Sequence, residues 1–149
     1  MSINRINAAD VTGFRTQHNL TIGNALDDYQ RIATKSAIYP GQGTPLGLVY
    51  VALKGAGEAG EFAEHVGKAM RDDALIPIDE ADGNNARLLN TLTGERRELL
   101  IKEVGDQLWY LAAKCNELCV SLSFAALTNL EKLLDRTERN ALQGSGDTR

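Results

Sequence analysis

Aromatic residues make up only 5% of this 149-residue chain, and positive charge is in deficit, with 16 Lys+Arg against 20 Asp+Glu. The net charge of −4 and a sequence pI near 5.2 argue against wrapping duplex nucleic acid, which takes a basic face to release phosphate counterions. A nucleotide is still admissible, because metal ions bridge phosphate to an acidic pocket. No apolar run reaches the roughly 18 residues of a membrane span, so no membrane partner is expected. The opening Met-Ser-Ile-Asn-Arg-Ile-Asn lacks the apolar core of a signal peptide, and a cytoplasmic location is expected. Repeats, low-complexity blocks and interdomain linkers are lacking too, leaving one domain over 1–149. The two cysteines, Cys115 and Cys119, lie in a leucine-rich run and read as small buried hydrophobes. A soft-metal pair there would need third and fourth ligands that the neighbourhood does not offer.

What is present is helical periodicity. A first helix is expected from about Ile22 to Tyr39, with Thr21 as N-cap and Ile22, Leu26, Tyr29 and Ala33 on one stripe. Pro40, Gly41 and Gly43 end it. Thr44-Pro45 opens a second helix through about Arg71. Residues 72–94, rich in Asp, Asn and Gly, read as a long loop with a short helix near Arg87–Asn90. A third helix is expected from Glu95 to Val120 and a fourth from Ser123, as cap, to Leu142. Residues 143–149 form a polar tail, and residues 1–20 give no clear reading. The third helix carries an apolar stripe of Val104, Leu108, Leu111, Ala112, Cys115 and Cys119. A second stripe of Leu99, Glu103, Asp106, Tyr110 and Ala113 is apolar but for its acids. A helix dry on two sides is sandwiched, so the expected fold is all-α: a compact four-helix bundle completed by dimerisation.

Two acidic pairs stand out, Glu58-x-x-Glu61 and Glu103-x-x-Asp106. Three-residue spacing on a helix puts both carboxylates on one face, about 5–6 Å apart at Cβ. Four carboxylates brought together repel one another, and a hard divalent cation with oxygen ligands is the simplest neutraliser. That combination points to phosphate chemistry. Glu64 lies away from this face and is placed to pair with Lys68 at i+4. Gly55, Gly57 and Gly60 each cost a helix about 1 kcal/mol against alanine, which tight backbone approach would offset. His18 and His65 lack ligand spacing and receive no role.

The runs Gly57-Glu58-Ala59-Gly60-Glu61-Phe62-Ala63-Glu64 and Lys102-Glu103-Val104-Gly105-Asp106-Gln107-Leu108-Trp109-Tyr110 resemble the two signatures of the MazG-like all-α nucleoside triphosphate pyrophosphohydrolases. Tyr29-Gln30, residues 118–139 (above all Asn129-Leu130-Glu131-Lys132-Leu133) and Gly144-Ser145-Gly146-Asp147 are similar to that family as well. The resemblance implies that Glu58, Glu61, Glu103 and Asp106 hold Mg²⁺, with Mn²⁺ a substitute. It implies cleavage of a nucleoside triphosphate between its α and β phosphates, giving monophosphate and pyrophosphate. The doubly dry third helix separately points to a homodimer or homotetramer. A carboxylate not committed to metal can take the proton of the attacking water, and Glu61 is the candidate. Tyr110, one turn after Asp106, packs on sugar or base, or is a core tyrosine. Asn129, Lys132 and Arg136 share one face of the fourth helix, as a phosphate clamp or a solvated surface. Trp109 lines a base pocket or simply packs. Lys54-Gly55 and the loop 72–94 depart from the family pattern and bear on pocket shape and base preference.

Two other readings compete. Leu48–Leu53 as a strand followed by Gly55-Ala56-Gly57-Glu58-Ala59-Gly60 matches a dinucleotide-binding G-x-G-x-x-G, with Asp79 about 20 residues on. Against it, Glu58 would repel the pyrophosphate, and no further strands follow residue 90. A non-catalytic helical nucleotide-binding or interaction module would share the all-α fold.

Overall fold

The computed structural model describes residues 7–20, 25–73, 75 and 92–139. Among them the chain is all-α, with no strand: α1 (Ala8–Leu20), α2 (Ala25–Ala33) followed by a 3-10 turn (Thr34–Ser36), α3 (Pro45–Asp72), α4 (Gly94–Glu117) and α5 (Leu122–Glu138). Leu48–Leu53 lies inside α3, which removes the strand that the dinucleotide reading needed. No helix among the described residues is long and apolar enough to cross a membrane. Thr21, Ile22, the short helix near residues 87–90 and the tail 143–149 fall outside the described residues.

Helix α1 occupies residues that gave no clear reading. Its start is a reciprocal cap. Asn7 Oδ1 accepts from the Ala9 and Asp10 N–H at 2.8 and 3.2 Å, while Asp10 Oδ2 accepts from the Asn7 N–H at 3.0 Å. Helix α2 ends earlier than the expected Tyr39, because hydroxyls compete for its last carbonyls. Thr34 Oγ1 donates to the Gln30 carbonyl at 2.7 Å, and Ser36 Oγ donates to the Ala33 carbonyl at 2.7 Å.

Helix α3 begins at Pro45 as expected, but Thr44 makes no side-chain cap. Its hydroxyl instead donates to the Gly41 carbonyl at 2.7 Å. The preceding turn runs through Gly41 and Gly43, both at φ +73°, a left-handed conformation that favours glycine. Glu117 fastens this turn to the end of α4, accepting from the Tyr39 hydroxyl at 2.6 Å and the Gly43 N–H at 2.9 Å. Burial first, then this bond to Glu117, pushes the Tyr39 phenol up to about 12.

Helices α3 and α4 form an antiparallel hairpin, with Gly47 against Glu117, Gly55 against Tyr110, and Asp73 paired to Arg96 at 2.8 Å. A Cβ on Gly55 would sit 3.0 Å from Tyr110 Cβ and 2.9 Å from Lys114 Nζ, whereas Gly57 and Gly60 face open space. Close approach therefore accounts for one of the three helical glycines. Among the described helices α3 packs on α4 alone, while α2 and α5 cover other parts of α4 and α1 packs on α5. Val51 and Ala113 are fully buried between α3 and α4. Ala112, Cys115 and Leu122 form a second core with Leu26 and Tyr29. The expected sandwich holds for the centre of α4, yet Val104 (53% exposed) and Leu111 (48%) of its apolar stripe remain open. Cys119 departs from expectation: α4 stops at Glu117, and Cys119 is exposed at φ +54°.

The start of α5 also differs. Ser121, not Ser123, is the N-cap, accepting from the Phe124 N–H at 3.1 Å. Side chains of α2 supply the next acceptors: Gln30 Oε1 for the Leu122 N–H at 2.6 Å and Asp27 Oδ1 for the Ser123 N–H at 3.0 Å. Ser123 Oγ donates to Asp27 Oδ2 at 2.7 Å, so this serine is committed to Asp27 within the helix. Gln30 is buried and fully engaged, donating to Asn116 Oδ1 and the Val120 carbonyl. Orphan N–H groups at a helix start need such partners.

Candidate metal centre

Glu58 projects from α3, and Glu103 and Asp106 from α4, where the antiparallel hairpin brings the two acidic motifs level. Each offers an oxygen within 4.8 Å of the others. Glu103 is buried at 9% exposure, Glu58 is half-buried and Asp106 is exposed. Burial raises the Glu58 carboxyl above its ordinary value, and Glu61, Asp106 and Glu103 raise it further, against an opposing pull from Lys54. Glu103 Oε2 is buried without a hydrogen-bond partner. A buried polar atom without a partner is costly, and a bound cation would supply one. Three hard oxygen donors, one of them orphaned, fit Mg²⁺ or Mn²⁺.

Glu61 is exposed and lies outside the set of mutually close oxygens, although its charge reaches Glu58. The fourth expected ligand is thus beside the cluster. Glu64 behaves as read, pairing with Lys68 at 2.5 Å on the surface. His65, which received no role, places Nε2 3.7 Å from Glu103 Oε1. Its signal was its position seven residues after Glu58, two helical turns along the same face.

A cleft of about 460 Å³ opens at the acids, lined by Ser36, Glu58, Asp106, Trp109 and Tyr110. That volume is within the range of small-molecule sites. Trp109 both packs and lines it: its Nε1–H donates to the Ala33 carbonyl and to Ser36 Oγ, each at 3.0 Å. Trp109 meets Tyr110 edge to face at 4.9 Å and Tyr39 at 6.2 Å, while Tyr39 stacks on Tyr50 at 5.5 Å. Burial raises the Tyr110 phenol, and the charges of Glu58 and Asp106 add to the shift. Tyr29 on α2 is raised by burial and by Asp106, so three helices bear on this one site. Ser36 could not be found from sequence, since its place depends on the early end of α2. Asn129, Lys132 and Arg136 sit on α5, which does not pack on α3, and none lines the cleft.

No protein-family model matches the chain, and no solved structure matches it. It is 42% identical over 127 residues to the Gene 37 protein of Mycobacterium phage L5, an alignment spanning 83% of this chain and 98% of that protein. With likeness at that level over nearly the whole relative, this chain belongs to the family of the phage L5 Gene 37 protein.

Proposed function

We propose that this protein hydrolyses a nucleoside triphosphate between its α and β phosphates in the presence of Mg²⁺, in the manner of the MazG-like enzymes its two acidic runs resemble. The observation that carries the reading is the convergence of Glu58, Glu103 and Asp106 from two helices, together with a buried, unpartnered Oε2 on Glu103. Bound to these oxygens, Mg²⁺ or Mn²⁺ supplies neutralisation of charge at phosphorus and a lowered pKa for the attacking water. Glu58, Glu103 and Asp106 hold the cation. Glu61, exposed and outside the close set, keeps its carboxylate available to accept a proton from water. That water's oxygen joins phosphorus as the bond to the departing pyrophosphate breaks. Trp109 and Tyr110 give the cleft an aromatic wall for a base or sugar. Incubation with each triphosphate and Mg²⁺, followed by separate assays for monophosphate, pyrophosphate and orthophosphate, tests the reading. Monophosphate with pyrophosphate is the expected pair; orthophosphate release, or no turnover of any triphosphate, overturns it.

The same reading includes pairing of two copies through the open side of the α3–α4 hairpin. Apolar side chains stand exposed on both helices, Leu53 at 70% on α3 and Val104 and Leu111 at about half on α4. The 24-residue α4 is about 36 Å long, and a two-helix face about 20 Å wide offers roughly 700 Å² per copy. A standard interface takes about 800 Å² per partner. Light scattering at micromolar concentration is expected to give a homodimer or homotetramer; a stable monomer rules the pairing out.

A further inference from the structure

One more half-buried titratable side chain stands at the acidic cluster without a task. His65 lies on α3 with its side chain 20% exposed, and its Nε2 is 3.7 Å from Oε1 of Glu103, whose side chain is 11% exposed. Neither His65 Nδ1 nor Glu103 Oε2 has a hydrogen-bond partner. His65 is not among the residues whose ligand atoms lie within 4.8 Å of one another, so it meets the cluster through Glu103.

We propose that His65 is a positioning residue for Glu103: its Nε2–H donates to Oε1 and thereby commits Oε2 to the cation. The inference rests on the cation site proposed above. A glutamate reaches its carboxylate through three rotatable bonds, and the last of them has a broad minimum. Backbone position alone therefore does not aim its oxygens. Glu103 is the most enclosed of the three acids, so a fixed neighbour can set its orientation. At 3.7 Å the contact is longer than a formed N–H···O bond, a separation that closes when the carboxylate is drawn into its bound orientation. The chemistry of the donor also suits the task. A lysine or arginine at this place would neutralise Glu103 and compete with the cation. An imidazole N–H is a directional donor that orients the carboxylate through a single ring nitrogen. Ligating carboxylates and imidazoles are commonly held by such outer hydrogen bonds, and removing one weakens metal affinity about 10- to 100-fold.

The test measures Mn²⁺ binding to the full chain by calorimetry and by the electron-spin signal of free Mn²⁺, without any nucleotide. His65→Leu is expected to raise the Mn²⁺ Kd about 10- to 100-fold. His65→Gln, which keeps an N–H donor, is expected to stay within about threefold of the parent, a rescue that a purely structural role would not give. Thermal melts in chelator confirm that each variant is folded, and His65→Met replaces His65→Leu should the latter fail to fold. Equal Mn²⁺ affinity in the parent and the folded apolar variant overturns the positioning role while leaving the cation site standing. Loss of binding in a folded His65→Gln overturns the hydrogen-bond account. A folded parent that binds no Mn²⁺ overturns the cation site itself, and this inference with it.

Discussion

Replacing Glu103 with glutamine separates the cation site from catalysis, because its effect on stability reverses sign when metal is added. The Glu58, Glu103 and Asp106 oxygens lie within 4.8 Å of one another. At that distance two unit charges repel by about 3.5 kcal/mol at an effective dielectric near 20, and by about 0.9 kcal/mol in bulk water. Glu58 is half-buried and Asp106 exposed, so screening keeps both pairs near the lower figure, about 2 kcal/mol in all. The new amide N–H₂ in a buried position returns about 1 kcal/mol. Glu103→Gln is therefore expected to stabilise the metal-free fold by about 1 kcal/mol, raising Tm by about 2–4 °C. Mg²⁺ at 100 times its Kd is expected to stabilise the parent by about 2.7 kcal/mol, or about 5–10 °C, and the variant hardly at all. Circular dichroism melts of both proteins, in chelator and in millimolar Mg²⁺, read the four values. A parent whose Tm ignores Mg²⁺, or a variant that melts clearly below the parent in chelator, refutes the electrostatic reasoning.

Glu61→Gln is expected to lower triphosphate hydrolysis by about 10²-fold or more, the range for loss of a general base, while the surface acid changed in Glu64→Gln stays within about twofold; steady-state rates at saturating Mg²⁺ compare them. Asp27→Ala removes the carboxylate that accepts from the Ser123 N–H and hydroxyl, while the hydroxyl keeps Ser121 Oγ at 3.1 Å, and is expected to cost about 1–3 kcal/mol in urea titrations; a loss under 0.5 kcal/mol contradicts that assignment. The Glu58 carboxyl is raised from 4.5, so the folded state holds its proton more tightly than the unfolded chain does. Its contribution to stability is fully present below pH 4.5 and is lost as the pH rises through the folded value. The difference in metal-free stability between the parent and Glu58→Gln should accordingly widen in the variant's favour as pH rises above 4.5, and a constant difference would show that Glu58 is unperturbed.

Much of the long hairpin was legible in sequence. Thr44-Pro45 marked the start of α3, because proline's fixed φ and missing N–H suit a first helical turn. The paired acids marked the faces that meet, since three-residue spacing is a local property of any helix. Less legible was whatever depended on distant partners. Ser121 and Ser123 are both plausible caps in isolation, and only Asp27, ninety-six residues away by chain, decides between them. Cys119 lies beyond the last turn because α4 closes in a left-handed residue that is not glycine, a stop with no compositional mark. Glu61 and Glu58 share a helix face, yet a three-residue step is about 60° short of a full turn. The same step keeps Asp106 with Glu103, so which member of a pair joins the cluster depends on how α3 is turned toward α4 and not on the spacing. His65 has no second histidine or cysteine at ligand spacing to mark it in sequence, because its partner is an acid on another helix.

Because Gln30 and Asp27 complete the opening amides of α5, that last helix is not a self-sufficient module. A peptide excised from residue 118 onward would begin with bare donors and unravel from its front, and adding back a segment spanning α2 should restore order to both pieces together. Hydrogen exchange at the Leu122 and Ser123 amides would then report the docking of a segment from the opposite end of the chain.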